Sequence, residues 1–267
     1  MTELDLNEAA KYAKIERTRL EKIIKKGKEL RRFKKGNKYF VEKGEIDNWL
    51  QRKKQREVLL IREDFITAFK FAIDINYAGH TRADFGTSRQ RSVTQAVENW
   101  TQGALAEIAL VKFIKQIFSV ELELEFRVFD NFIVGQDIIA VKRHHVSNPP
   151  KKRVSVKSGK ENGMILIVPI KEVERAERVS DIYVFVRIKY PTDFILRLLR
   201  EHPDLADIKD KIPEFEPFTA EIVGYCLKDE LEKRTVPEAE IEEERYVKVS
   251  GELKNSDADW KTFIDSL

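Results

Sequence analysis

The chain has 267 residues, of which 42% are hydrophobic and 36% are charged, and its formal net charge is +3. This length suits a main domain of about 200 residues plus a smaller module. The single cysteine, Cys226, excludes an internal disulfide framework and a cysteine zinc site, and it favours a reducing compartment. No apolar run approaches the roughly 18 residues of a membrane span, and the polar N-terminus lacks a signal-peptide core. We therefore expect a cytoplasmic protein.

Basic charge is concentrated in two blocks. Residues 1–56 hold 18 Lys/Arg against 9 Asp/Glu, and residues 142–160 hold seven Lys/Arg and no acidic residue. Two basic blocks on a nearly neutral chain predict local contact with a polyanion such as double-stranded DNA. The alternative is a pair of solvated faces with no partner.

Residues 4–50 predict a helix, a turn, a second helix, a hairpin and a closing helix. Asn7 is the predicted cap of the first helix, Gly27 the left-handed stop of the second, and Gly36 the centre of the hairpin. In such an arrangement the second helix enters the major groove and the hairpin forms a basic wing. The predicted DNA contacts on these two elements are Arg17, Thr18, Arg19, Lys22, Lys35 and Lys38.

The segment LNEAAKYAKIERTRLEKIIKKGKELRRFKKGNKYFVEKGEIDNWL resembles the excisionase or MerR-like winged helix-turn-helix family. The resemblance covers nearly all of residues 4–50, and it implies DNA binding rather than chemistry. Residues 51–59 are highly charged and predict a helical linker. We therefore assign residues 1–56 to a winged helix-turn-helix domain with its linker, and residues 57–267 to a second domain.

The second domain opens with a predicted helix from about Arg62 to Tyr77, on which apolar residues recur at helical spacing. Residues 78–91 follow as a polar and basic loop. Arginine pairs with phosphate or guanine through two parallel hydrogen bonds. The predicted DNA contacts in this loop are His80, Arg82, Arg89 and Arg91, although an ordinary polar connection would have a similar composition.

Glu107 occupies an unusual position in the predicted helix 92–118. It shares an apolar stripe with residues at three- and four-residue steps, namely Trp100, Ala104, Val111, Ile114 and Phe118. A carboxylate on such a stripe is costly unless it is paired, hydrogen-bonded or bound to a metal. Glu107 is therefore a candidate site residue, and the alternative is a helix-edge glutamate whose head group reaches water.

Two short strands flank the second basic block. Asp137 opens one apolar run, and Lys157 closes another, in which Ser155 and Lys157 share one face while Val154 and Val156 face the core. We expect Asp137 and Lys157 on adjacent strands of one sheet. The intervening segment predicts a turn whose DNA contacts are Lys142, Arg143 and His144.

The remainder of the chain predicts further strands with short helices. Residues 164–170 and 182–188 are apolar and β-branched, which favours buried strands, and residues 171–180 between them suit a short helix. Residues 221–227 predict an edge strand and residues 228–234 a short helical turn. The acidic residues 235–267 are weakly patterned, with Trp260 and Phe263 as expected anchors.

The order of a helix with Glu107, a strand with Asp137 and a strand with Ser155 and Lys157 resembles the PD-(D/E)xK nuclease superfamily over residues 92–190. That resemblance implies an α/β (α+β) fold with a restriction-endonuclease-like mixed sheet flanked by helices. It also implies that Asp137 and Glu107 hold Mg²⁺, or Mn²⁺, while Lys157 acts on the water or on the developing charge.

Ser155 departs from the family pattern, which has an acid at this position. Some type II restriction enzymes with Ser-x-Lys recruit the missing acid from downstream, and the resemblance then points to Glu172 or Glu174. In a second possibility Glu107 completes the metal shell and Ser155 contributes a hydroxyl. In a third the site is inactive, as in nuclease-like domains that only bind.

Together the two resemblances imply a Mg-dependent type II restriction endonuclease. Cutting both strands of a palindrome favours a homodimer, because a two-fold protein matches a two-fold site. The alternatives are a transcriptional regulator with a nuclease-like C-terminal domain and a repair or modification-dependent nuclease.

Overall fold

The structure is a computed structural model that describes residues 2–77, 93–126, 137–143, 146–191, 212, 216–237 and 241–267. The described chain is of the α+β class, as predicted. Five of the predicted DNA contacts lie outside the described residues: His80, Arg82, Arg89, Arg91 and His144.

The N-terminal unit, residues 2–56, combines a small sheet with three helices. Its strands are β1 (Glu3–Asp5), β2 (Phe33–Lys35) and β3 (Lys38–Glu42), in the spatial order β1-β3-β2. Its helices are α1 (Leu6–Tyr12), α2 (Arg17–Lys22) and α3 (Lys43–Gln55). Leu20, Val41 and Ile46 are fully buried between them. The predicted helices and hairpin wing are therefore present.

Two local predictions in this unit are wrong. Asp5, rather than Asn7, caps α1, because its Oδ1 accepts hydrogen bonds from the backbone N–H groups of Asn7 and Glu8 at 2.8 and 2.9 Å. The helix continues beyond Lys22 as a π-helical turn, Ile23–Gly27, and the left-handed residue that follows it is Lys28, with φ of 51°, rather than Gly27. Gly27 is needed for space instead: a Cβ there would lie 3.0 Å from the sulfur of Met164.

The helical linker predicted at residues 51–59 is confirmed as helix only as far as Gln55. Helix α3 continues to Gln55, and strand β4 (Glu57–Leu60) begins two residues later. Arg56 between them is buried, and its Nη1 donates a 2.7 Å hydrogen bond to the carbonyl of Val223. The N-terminal unit therefore runs directly into the main sheet.

In the described part of the chain the main sheet contains four strands, in the order β4-β11-β10-β8. Strands β8 (Val154–Lys160) and β10 (Ile182–Ile188) are parallel, while β11 (Phe218–Leu227) is antiparallel to both β10 and β4. The strand predicted at the edge, residues 221–227, thus lies inside the sheet. Its burial explains this, because nearly every residue from 218 to 226 is buried, as in a strand that is covered on both faces.

The two faces of the main sheet are covered differently. Helices α4 (Arg62–Tyr77) and α5 (Val93–Phe118) pack on one face, where Val156 and Val184 join the large core. Tyr183 and Phe185 point to the other face and belong to a separate cluster. Since β8 and β10 pair Ser155 with Tyr183 and Lys157 with Phe185, those two β8 residues share this second face, as predicted.

Two smaller sheets flank the main one. The first, in the order β5-β6-β7, contains β5 (Glu121–Leu124), β6 (Ile138–Arg143) and β7 (Val146–Asn148). The second, in the order β12-β13-β9, contains β9 (Ile165–Val168), β12 (Glu232–Val236) and β13 (Ile241–Val249). Helices α6 (Ile170–Glu174) and α7 (Asp257–Ser266) complete the described elements.

These sheets correct three further predictions. Strand β6 does not pair with β8, so Asp137 and Lys157 are not on adjacent strands of one sheet. Strand β7 occupies part of the predicted turn, and only residues 228–230 of the predicted turn 228–234 are helical. Residues 241–267 are well structured, while Trp260 and Phe263 are anchors as expected, each only 1% exposed.

Candidate functional site

The Asp137 carboxylate reaches the outer edge of β8. Its Oδ2 accepts a 2.6 Å hydrogen bond from the backbone N–H of Val156. This N–H lies between the two residues whose side chains point to the second face, Ser155 and Lys157. A single side-chain bond therefore brings the predicted aspartate to the predicted lysine, although their strands belong to different sheets.

Glu172, on α6, supplies the second carboxylate of the site. Its Oε1 forms an ion pair with the Lys157 ammonium and accepts a 3.1 Å hydrogen bond from the Ser155 hydroxyl. Helix α6 lies in the crossover between the parallel strands β8 and β10, which places Glu172 above the face that carries Ser155. Of the two acids considered to replace the one missing at Ser155, Glu172 is therefore the one that reaches it.

Glu174 has a different environment. Its Oε1 pairs with the Lys233 ammonium at 2.8 Å and accepts a 3.2 Å hydrogen bond from the Tyr246 hydroxyl. This pair is exposed and holds α6 against the β12-β13-β9 sheet. Its contacts make Glu174 a structural residue and leave Glu172 as the acid of the site.

Glu107 approaches the site from the α5 side, where it is partly buried on its apolar stripe. Burial raises the pKa of Glu107 well above its usual range, and the carboxylate of Asp137 raises it further, while Lys157 offsets only part of the effect. The pKa of Asp137 is also raised by burial, against the opposing influences of Lys157 and the Val156 N–H. Two carboxyl groups therefore compete for one lysine.

Lys157 is strongly committed to its charged form. Burial alone would lower its pKa, but the carboxylates of Glu172 and Asp137 outweigh burial and raise it. About a quarter of the side chain remains exposed, at 24%. The site thus presents a permanent positive charge that solvent, or a phosphate, can reach.

A hard divalent cation fits part of this arrangement. The surrounding groups do not balance the ionised forms of Glu107 and Asp137, which raises both pKa values, and a cation bound by the two carboxylates would remove that cost. Within the described ranges no group of three or more His, Cys, Asp or Glu residues is arranged to hold a metal. Two carboxylates suffice for Mg²⁺ when substrate phosphate and water complete its shell.

Tyr183, which sequence reasoning missed, borders the site on β10. Its hydroxyl accepts a 3.2 Å hydrogen bond from the Ser180 N–H and donates to the Glu172 carbonyl at 3.5 Å. Burial raises the pKa of Tyr183 above its ordinary value, so it remains protonated. A tyrosine hydroxyl within the buried, mostly apolar run IYVFVRI was the signal that could have identified it.

On the N-terminal unit, the structure places the predicted groove-reading residues on α2, namely Arg17, Thr18, Arg19 and Lys22. Two of them form ion pairs with acidic residues. Arg17 pairs with Glu21 one turn later at 3.1 Å, and Arg19 pairs with Glu161, in the turn after β8, at 3.0 Å. Exposed ion pairs contribute about 0–1 kcal/mol, so a phosphate would displace either acid readily.

The remaining basic contacts divide into two groups. Lys35 and Lys38 are exposed on the wing, as predicted, and Lys35 pairs with Glu3 of β1, which lies on the far side of β3. Lys142 forms an ion pair with Glu123, and the Arg143 guanidinium donates to the carbonyl of Ile264. Their roles as DNA contacts stay predictions.

A buried charge network joins the N-terminal unit to the main sheet. Glu29 pairs with Arg187 of β10, Arg187 with Glu221 of β11 at 3.4 Å, and Glu221 with Arg56 at 3.9 Å. The sequence analysis did not identify it. The signal was an arginine and a glutamate inside two strongly apolar runs, Arg187 in IYVFVRI and Glu221 in FTAEIVGYCL.

The comparisons with known proteins concern the N-terminal unit. Residues 3–54 match the family model described as a helix-turn-helix domain. No curated protein and no solved structure matches the chain. No helix in the described part of the chain is long and apolar enough to cross a membrane. The helix-turn-helix prediction is confirmed, whereas the nuclease resemblance stays a prediction. Residues 3–54 are therefore similar to helix-turn-helix domains, a class of domain that binds DNA.

Proposed function

We propose that the chain is a Mg-dependent endonuclease of the PD-(D/E)xK type that cuts double-stranded DNA at specific sequences, as a homodimer of the type II restriction class. The observation that carries this proposal is the meeting of Asp137, Lys157 and Glu172 at the edge of β8, with Glu107 beside them. The helix-turn-helix domain would bind the DNA and bring it to this site.

Each side chain has a role that follows from its environment. Asp137 is oriented by the Val156 N–H, and together with Glu107 it would hold Mg²⁺ or Mn²⁺. The cation would supply a Lewis acid for the phosphodiester and lower the pKa of the attacking water. Lys157, held charged by Glu172, would stabilise the negative charge that develops on the phosphate.

Ser155 and Glu172 replace the missing acid as a pair. The serine hydroxyl donates to the same Glu172 oxygen that receives the Lys157 ammonium. In this arrangement Ser155 restrains the carboxylate, and the carboxylate positions the lysine. Ser155→Ala should therefore reduce the rate, whereas Glu172→Gln should also lower the pKa of Lys157, because its largest favourable partner would lose its charge.

The test is cleavage of plasmid DNA by the full chain in Mg²⁺ or Mn²⁺. Discrete fragments are expected from the wild type, while smearing would indicate a non-specific nuclease. Asp137→Asn and Lys157→Met should lose at least about 100-fold in rate, as expected when a group that stabilises transition-state charge is removed. Both should bind DNA like the wild type. Wild-type cutting by either variant would show that the site is elsewhere.

One observation favours a second function, a DNA-binding regulator without catalysis. Glu172 is already satisfied by Lys157 and Ser155, and the described residues contain no ready three-donor metal group. A regulator would bind DNA with the same affinity in EDTA and in Mg²⁺. It would leave plasmid DNA intact in Mg²⁺ and in Mn²⁺. That pair of results would replace the nuclease proposal.

A further inference from the structure

The helix-turn-helix domain is attached to the same face of the main sheet as the candidate site. Along β10, Tyr183, Phe185 and Arg187 alternate onto this face, and in the parallel pairing they lie beside Ser155, Lys157 and Gly159 of β8. Tyr183 touches α6 at the site, while Arg187 contacts Glu29 of the N-terminal unit. Arg187, which holds the domain, therefore lies only two residues further along the sheet than Phe185, the neighbour of Lys157. This separation is about 7 Å.

The attachment is buried rather than tethered. The side chains of Arg187 and Glu29 are 5% and 8% exposed, and Glu29 also accepts hydrogen bonds from Ser250 at 2.6 Å and Trp49 at 3.0 Å. Met164, which follows the β8–β9 turn, is packed in the hydrophobic core of the N-terminal unit. Both oxygens of the Glu29 carboxylate thus accept hydrogen bonds, and these bonds fix the orientation of the side chain.

The DNA-reading helix itself touches the end of the site strand. Arg19 of α2 pairs with Glu161, which follows the last residue of β8. Four residues separate Glu161 from Lys157, a span of at most about 13 Å of extended chain. Allowing for the Arg19 side chain, α2 lies at most about 20 Å from Lys157, which corresponds to no more than about six base pairs along a duplex that rises about 34 Å per turn.

We propose that α2 and the rim of β8 bind one DNA duplex at a single fixed spacing of at most about six base pairs, and that Glu29 and Arg187 are the positioning residues that set this spacing. The domain then reads part of the cut site rather than distant flanking DNA. The statement about cutting rests on the proposed function, whereas the statement about DNA binding does not.

The spacing can be measured without any cleavage activity of the protein. Ser158→Cys and Lys22→Cys place single thiols beside the site and on α2, since Cys226 is buried and would not be labelled. An iron chelate attached to each thiol cuts the nearest DNA by hydroxyl radicals. The probe is a duplex of about four helical turns, enriched from a random pool by the full-length protein in EDTA.

The expected result is one cluster of cuts from each position, with centres at most about six base pairs apart. Glu29→Gln should widen the separation at least twofold while DNA affinity falls less than tenfold. Its control, Glu252→Gln, removes the exposed Lys28 pair at the same boundary and should leave the spacing unchanged. The wild-type measurement stands even if Glu29→Gln does not fold.

Two results would overturn the inference: no cuts from the thiol at position 158, or an unchanged spacing in a folded Glu29→Gln protein. The proposed function fails in a different way. If the tethered reagent gives the expected spacing but the wild-type protein leaves the same duplex intact in Mg²⁺ and Mn²⁺, the fixed binding geometry is supported and the nuclease proposal is refuted.

Discussion

The contact between Glu29 and Arg187 predicts a large and specific loss of stability. Both side chains are less than a tenth exposed, and breaking one partner of a buried ion pair typically costs about 3–5 kcal/mol. Arg187 would retain Glu221 at 3.4 Å, so we expect Glu29→Gln to lose about 3 kcal/mol, the lower end of that range. Glu252→Gln, which breaks an exposed pair at the same boundary, should cost less than about 1 kcal/mol.

Urea unfolding followed by tryptophan fluorescence and circular dichroism measures this difference. With a slope of about 3 kcal/mol/M, a loss of 3 kcal/mol lowers the midpoint by about 1 M. Because the network ties the two units together, the wild type should unfold in one transition seen by both probes. An equal midpoint for both variants, or a separate early transition of the N-terminal unit in the wild type, would refute the reasoning.

Three further predictions follow from individual side chains. Folding raises the pKa of Glu107 above 4.5, so its contribution to stability is greatest below pH 4.5 and is lost as the pH rises through the pKa of the folded protein. Glu107→Gln should therefore stabilise the metal-free protein against urea at pH 8 and not at pH 4. Burial raises the pKa of Cys226 to about 12, so a thiol reagent at pH 8 should react only after unfolding, and rapid native labelling would contradict its burial. If Lys22 contacts a phosphate, Lys22→Ala should reduce the salt-dependence slope of DNA binding by about 1, and an unchanged slope would place the backbone contact elsewhere.

Local periodicity predicted the elements that carry the site. The apolar spacing in α4 and α5 correctly predicted which side of each helix is buried, and the alternation in β8 correctly predicted that Ser155 and Lys157 share one face. Both predictions work because side-chain direction repeats every 3.6 residues in a helix and every two in a strand. Glu107 was recognisable for the same reason, since one carboxylate interrupts an otherwise apolar stripe.

Strand order and charge pairing were not predictable in this way. Glu29 and Arg187 are 158 residues apart, and nothing in their neighbours specifies that they meet. Likewise β6 and β11 read as ordinary apolar runs, although one lies in a separate sheet and the other inside the main one. These features depend on long-range packing, which a single sequence pattern does not encode.

The bond between Asp137 and the Val156 N–H has a consequence for association between molecules. Among the described strands β8 ends the main sheet, and a sheet edge with free N–H groups is a template for pairing with another chain. The carboxylate of Asp137 occupies one such group in the middle of the strand. A substitution that removes this acceptor would open the edge as well as the site, so a variant such as Asp137→Ala would be prone to self-association, while Asp137→Asn would keep the edge closed.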